Sequence, residues 1–146
     1  MSRVRAHVDI AAPIDQVFAF FDDLGNAAVL VPGLAEITRV EPLPGGGRRV
    51  EYETFGRDGT RHPASSEHVV FDPPHRTVTR AVQSGIEATT TRDFRPHDGG
   101  TRVEATIAWD VPIRYVAGIV SAPLRGPYRR ALRDGLAGAR AAIQGG

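Results

Sequence analysis

The sequence predicts an α+β fold: a seven-stranded, curved antiparallel sheet wrapped around a long C-terminal helix, with two short helices after strand 1. Three observations predict it. The first is a change of period. Apolar and polar residues alternate through most of the chain, and steps of three and four take over across 113–143. The second is punctuation, because Gly- and Pro-rich turns part consecutive alternating runs and so join them as an antiparallel meander. The third is that no second long helical pattern exists to receive the apolar stripe of the last one, so that stripe must lie on the sheet.

Residues 3–10 alternate, with Arg3, Arg5, His7 and Asp9 against Val4, Ala6, Val8 and Ile10, as a strand with one wet and one dry face does. Ala12-Pro13 ends it, and Pro13 suits the entry of a helix on which Ile14, Val17, Phe18 and Phe21 share a face. That helix stops near Asp22-Asp23-Leu24-Gly25, and Asn26 to Val31 forms a further turn or two, closed by Pro32-Gly33. Strands follow over 35–43 and 48–55, joined by Pro44-Gly45-Gly46-Gly47. Gly56-Arg57-Asp58-Gly59 then turns the chain into a strand over 60–71, whose start Pro63 demotes to an edge or a bulge. Asp72-Pro73-Pro74 leads to strands over 77–83 and 86–94, parted by Ser84-Gly85. After Pro96 to Gly100, residues 101–111 place Val103, Ala105, Ile107, Trp109 and Val111 on one side.

The final stripe runs through Val116, Ile119, Val120, Leu124, Tyr128, Ala131, Leu132, Leu136, Ala139 and Ile143, while Arg125, Arg129, Arg130, Arg133 and Arg140 occupy the opposite face. Pro123 and Pro127 each lack an N–H and clash with the carbonyl four residues back. They predict a broken helix, with a short piece over 114–121 and a regular one from about 127. A twisted sheet of this size curls. One helix across its mouth leaves gaps between the helix and the concave face.

The 146 residues suit one domain, 1–146, with 41% hydrophobic and 24% charged residues, as an ordinary globular chain has. A net charge of +1 gives no drive toward nucleic acid. All eighteen basic residues are Arg, so arginine on the outer helix face reads first as solvation. With no cysteine, disulfides, thiolate nucleophiles and Cys-ligated metals are excluded. No signal core and no membrane-length apolar run occurs, so a cytoplasmic protein without stable membrane insertion is expected. His7, His62, His68, His75 and His97 lack metal-ligand spacing, and Gly45-Gly46-Gly47 opens no helix, so no metal and no cofactor is expected. A strand edge near Arg61–Pro63 offers a place where two copies could pair as a homodimer.

Four strings in this order carry a resemblance: Val8-Asp9-Ile10-Ala11-Ala12-Pro13 leading into Val17-Phe18; Val31-Pro32-Gly33-Leu34; Asp72-Pro73-Pro74; and Gly99-Gly100-Thr101-Arg102-Val103 before the helix. The chain resembles the START-like (SRPBCC, helix-grip) superfamily, and within it the polyketide cyclase/dehydrase and lipid-transport group. The resemblance implies a deep apolar cavity between sheet and helix, filled by a hydrophobic small molecule. It does not fix a function, because the fold hosts carriers, receptors and cyclases.

Aromatase/cyclase members carry Ser-x-Arg facing the cavity, where this chain reads Ser66-Glu67-His68. Ser66 and His68 share a strand face, and a histidine there can polarise an oxygen or shuttle a proton near neutral pH. The alternative is a hydrogen-bonded structural histidine. The same members carry a Trp-Pro pair and a Tyr where this chain has Ala27-Ala28 and Leu34, which counts against aromatisation and for plain binding. The resulting expectations are His68, Ser66 and Tyr52 as candidate catalytic groups, and Val50, Thr54, Val70, Arg80, Val103, Ile107, Trp109, Val120, Leu124 and Tyr128 as candidate ligand contacts. Two readings stand. One is a binder of a hydrophobic or amphipathic, lipid- or polyketide-like molecule. The other is a polyketide cyclase/dehydratase performing aldol condensation and dehydration with His68 as acid/base. Strand register decides which side chains face inward, since a one-residue slip inverts the list.

Overall fold

The computed structural model describes residues 2–110 and 121–145. Its seven-stranded antiparallel sheet is built from β1 (Ser2–Ile10), β2 (Leu34–Pro42), β3 (Arg48–Phe55), β4 (Arg61–Asp72), β5 (Arg76–Gln83), β6 (Ile86–His97) and β7 (Gly100–Asp110). The spatial order is β1-β7-β6-β5-β4-β3-β2, so hairpins join the strands from β2 to β7 and β1 closes on the last of them. Between β1 and β2 lie α1 (Ile14–Asp22), a 3-10 turn (Leu24–Asn26) and α2 (Ala27–Leu30). The C-terminal helix α3 is Ser121–Gly145.

Alternation in the sequence becomes alternation in burial. Val4 and Ile10 on β1, and Val103, Ala105 and Trp109 on β7, are buried with Phe94 of β6 against Leu132 and Leu136 of α3 and Val17 and Phe18 of α1. The meeting of β1 and β7 is tight at its end. Gly100 passes so close to Ile10 that a Cβ would collide with the Ile10 carbonyl oxygen, and the neighbouring Thr101 hydroxyl donates to the Ala12 carbonyl at 2.8 Å.

Two hydrogen bonds pin α3 along β1. The Arg125 guanidinium donates to the Arg3 carbonyl at 3.0 Å, and the Gln144 Oε1 accepts from the Ala11 N–H at 2.8 Å. The helix thus packs chiefly on β1 and β7 and against α1 and α2. Its apolar stripe is consumed largely at that end of the sheet, and among the described residues no helix packs closely on the concave face of β3–β5. α2 comes down beside α3 where Gly138 gives it room: a Cβ on Gly138 would meet Val29 at 2.9 Å.

One expectation needs correction. The helix does not restart near Pro127, because Pro127 lies inside α3. Pro123 falls in the first turn, where the N–H groups have no intrahelical partner, and Pro127 forgoes a single bond in the next. The piece expected over 114–121 lies, but for its last residue, outside the described residues. Arg61–Pro63 is a local edge, as Pro63 suggests. It pairs with β3, Pro63 opposite Glu53, and runs past the end of β5, whose pairing starts at Ala64 opposite Gln83. Pro63 therefore gives up no ladder bond toward β5. Among the described residues, no helix is long and apolar enough to cross a membrane.

Candidate functional site

A cavity of about 430 Å³ lies over the concave face, between β3–β7, α2 and the middle of α3. Strand register makes its floor a set of rungs. Val50, Ser66, Ala81 and Ala88 follow one another across β3, β4, β5 and β6 in the middle. On one side of that rung stand His68, Thr79 and Thr90, with Arg48 and Arg92 beside them. On the other side stand Tyr52, Gln83 and Ile86. Ile107 and Ala105 of β7, Tyr128 and Ala131 of α3, and Leu30, Val31 and Leu34 form the walls. The central depth comes from two facing alanines where other rungs carry larger groups.

One pole of the cavity is polar and cationic. The His68 Nδ1 accepts the Arg48 backbone N–H at 3.0 Å, so a neutral ring carries its proton on Nε2. Nε2 is then a donor to the cavity. Gly47 makes this approach possible, since a Cβ there would lie 2.7 Å from the His68 Cβ. Burial, and then the positive Arg48, hold the His68 pKa below its ordinary value, with Asp22 acting in the opposite sense. Arg48 is neutralised by Asp22 at 3.1 Å and also donates to the Asp22 carbonyl. Arg92 has no carboxylate partner among the described residues, and its guanidinium sits 5.5 Å from the centre of the Phe21 ring. Burial alone lowers its pKa to about 10, so it remains a cation at neutral pH. Phe18, Phe21, Phe71 and Phe94 pack edge-on or tilted around this pole, and Phe71 also stands 5.0 Å from His68.

The opposite pole is neutral. Burial raises the pKa of both Tyr52 and Tyr128, so both phenols stay protonated. The Gln83 amide donates to the Thr54 hydroxyl at 2.5 Å.

The structure brings Tyr52, Ser66, His68, Val50, Thr54, Ile107 and Tyr128 together in this lining. No hydrogen bond links Ser66, His68 and Tyr52, which are separate groups along the floor rather than a relay. The other expected contacts fall elsewhere. Arg80 has the opposite parity to Ala81 and lies on the convex face, bonded to Glu87 at 2.9 Å and near Glu67 at 3.5 Å. Val70 is displaced by a bulge between His68 and Val70 and is 42% exposed. Val103 and Trp109 share the inward face but are consumed in the core, Trp109 packing edge-on against Tyr128 at 4.8 Å. Leu124 packs on that core. Val120 lies outside the described residues.

The reading of the sequence missed Arg48, Arg92, Thr79, Thr90, Gln83, the floor alanines and the α2 wall. A signal for Arg92 existed: counting back by two from the apolar Phe94 puts it on the inner face.

Known structures repeat the architecture. The di-domain ARO/CYC StfQ of the steffimycin biosynthetic pathway superposes with a TM-score of 0.80 at 16% identity, over 98% of this chain and 51% of that one. A protein of Thermus thermophilus gives 0.73 at 22% identity, over 99% and 98%. The di-domain ARO/CYC BexL gives 0.67 at 27% identity, over 95% and 48%. The chain thus spans about half the length of the two di-domain proteins. No functionally curated protein matches it in sequence. Residues 1–144 match the family described as polyketide cyclase/dehydrase and lipid transport, and this helix-grip chain belongs to that family.

Proposed function

We propose that the protein binds a hydrophobic or amphipathic small molecule, lipid- or polyketide-like, in the cavity between sheet and helix. The observation that carries this reading is the cavity itself: about 430 Å³, walled by Leu30, Val31, Leu34, Ile86, Ile107 and Leu132, with polar groups gathered at its two ends and the Ser66 hydroxyl between them. That size and that division of labour suit a small-molecule site, in which apolar walls supply affinity and few polar groups set orientation. At roughly 25 cal/mol per Å² of apolar surface removed from water, even a small guest gains several kcal/mol.

The second reading is a cyclase/dehydratase. It is favoured by the His68 ring standing in the lining two residues from Ser66, and by the 27% identity to BexL. In an aldol step a base takes an α-proton, the enolate carbon attacks a carbonyl, and the new alkoxide is protonated before water leaves. With Nδ1 occupied by the Arg48 N–H, the His68 Nε2–H serves as the acid that polarises or protonates an oxygen. It has no free lone pair to act as base, which weighs toward binding as the primary role.

Native mass spectrometry of the protein purified from its own host tests the first reading. The expected spectrum contains the chain plus a non-covalent apolar guest, stripped by organic solvent. Bare chain alone, combined with no uptake of lipid or polyketide mimics, overturns it. His68→Ala separates the readings. A carrier keeps its affinity within about tenfold, whereas an enzyme loses about a hundredfold or more in turnover.

A further inference from the structure

We infer that the ligand is a monocarboxylate amphipath, its carboxylate held at Arg92 and its apolar body lying over the Ala81–Ala88 floor toward Tyr52. This rests on the binding reading above and names the class of molecule.

A cation partly withdrawn from water gains from an anion close by, and Arg92 is half-buried in the cavity lining against the Phe21 ring. Arg48 has its anion in Asp22, and His68 is neutral. Asp23, the acid of the lining, has an oxygen turned to the Gly25 N–H at 2.8 Å as the cap of the 3-10 turn. Asp93, next to Arg92 in sequence, points to the convex face and lies 3.4 Å from Arg76. Arg92 therefore leaves its pole with one uncompensated positive charge facing the cavity.

The chemistry of the surroundings narrows the anion. One guanidinium presents two parallel N–H donors that match the two oxygens of a carboxylate. The Thr79 and Thr90 hydroxyls beside it make no side-chain hydrogen bond among the described residues and are free to donate. A single compensating charge balances a monoanion, whereas a phosphate dianion would need a second free cation that the described residues do not offer. Beyond the pole the floor carries Val50, Ala81 and Ala88 with the single hydroxyl of Ser66, and the far end carries the neutral Tyr52, Thr54 and Gln83, so the rest of the ligand is uncharged and largely apolar.

Two matched pairs test this and tell a chain from a ring: dodecanoate with dodecanol, and naphthoate with naphthalenemethanol. Affinities are measured by calorimetry for the wild type and for Arg92→Met, whose side chain keeps the length and loses the charge. In the pair that binds, the wild type is expected to prefer the acid by about tenfold or more, and R92M to lose most of that preference. Equal binding of acid and alcohol to the wild type overturns the inference while leaving the binding reading standing. A preference that survives in R92M also overturns it, by placing the anion elsewhere. If neither pair binds, the binding reading falls and the inference falls with it. The wild-type comparison stands even if R92M does not fold.

Discussion

Ala81 and Ala88 oppose each other on β5 and β6 in the middle of the cavity floor, and filling that floor gives a prediction whose sign separates a hollow from a packed core. The double variant Ala81→Leu/Ala88→Leu adds three carbons at each position, worth ~2.4 kcal/mol per site at ~0.8 kcal/mol per buried CH₂. Fixing each leucine costs ~0.5–1 kcal/mol of side-chain entropy, which leaves ~1.4–1.9 kcal/mol per site at most. The cavity is not fully closed, so a total gain of ~1–3 kcal/mol is expected, or a rise in Tm of roughly 2–4 °C per kcal/mol for a chain of this size. Were the floor already packed, the same change would overfill it and cost ~1–3 kcal/mol per site. Urea unfolding with and without dodecanol measures both consequences. The apo variant should unfold at higher urea than the wild type, and the stabilisation that dodecanol gives the wild type should vanish. A lower midpoint with an unchanged slope would refute the reasoning.

The folded pKa of His68 lies below its unfolded value of 6.5, so the folded state binds fewer protons there. Its contribution is complete above about pH 6.5 and is lost as pH falls from that value toward the depressed folded one; His68→Gln should flatten this part of the stability profile, and an unchanged slope in urea midpoints would contradict the assignment. Asp22→Asn removes the charge that holds the His68 pKa up, so an NMR titration of the ring should show it lower still, and a rise would contradict the electrostatics. Trp109→Ala should cost ~3–5 kcal/mol by chemical unfolding, as a core residue does. A loss below about 1 kcal/mol would return Trp109 to the ligand contacts.

What could be read from the sequence follows from how strongly each strand declares its faces. β7 alternates Val103, Ala105, Ile107 and Trp109 with polar residues, and the same residues face inward in the structure. The turns at Gly45–Gly47 and Ser84–Gly85 set the hairpins, and hence the meander and the curved sheet. β5 and β6 are different. Arg76 to Gln83 and Ala88 to Asp93 mix threonine, alanine and arginine on both faces, so periodicity does not say which arginine turns inward. Sequence reasoning therefore favours Arg80 and overlooks Arg92, although the structure has them the other way round. Val70 is misplaced because of a bulge, which shifts parity without leaving a Gly or Pro signal. The proline argument about α3 is sound for each residue alone. It fails because Pro123 falls in the first turn, where no intrahelical N–H bond is lost, and because Pro127 forgoes one bond in a helix of 25 residues held by its packing on β1 and β7.

If an apolar guest lodges in the cavity, its lining must feel the guest directly. Methyl and amide NMR spectra recorded while dodecanol is added test this most directly. Shifts are expected at Ala81, Ala88, Ile107 and Leu132, and none at Val69 and Val82, which are 46% and 42% exposed. Saturating alcohol with the lining signals unmoved, or with shifts confined to those outer valines, would contradict it.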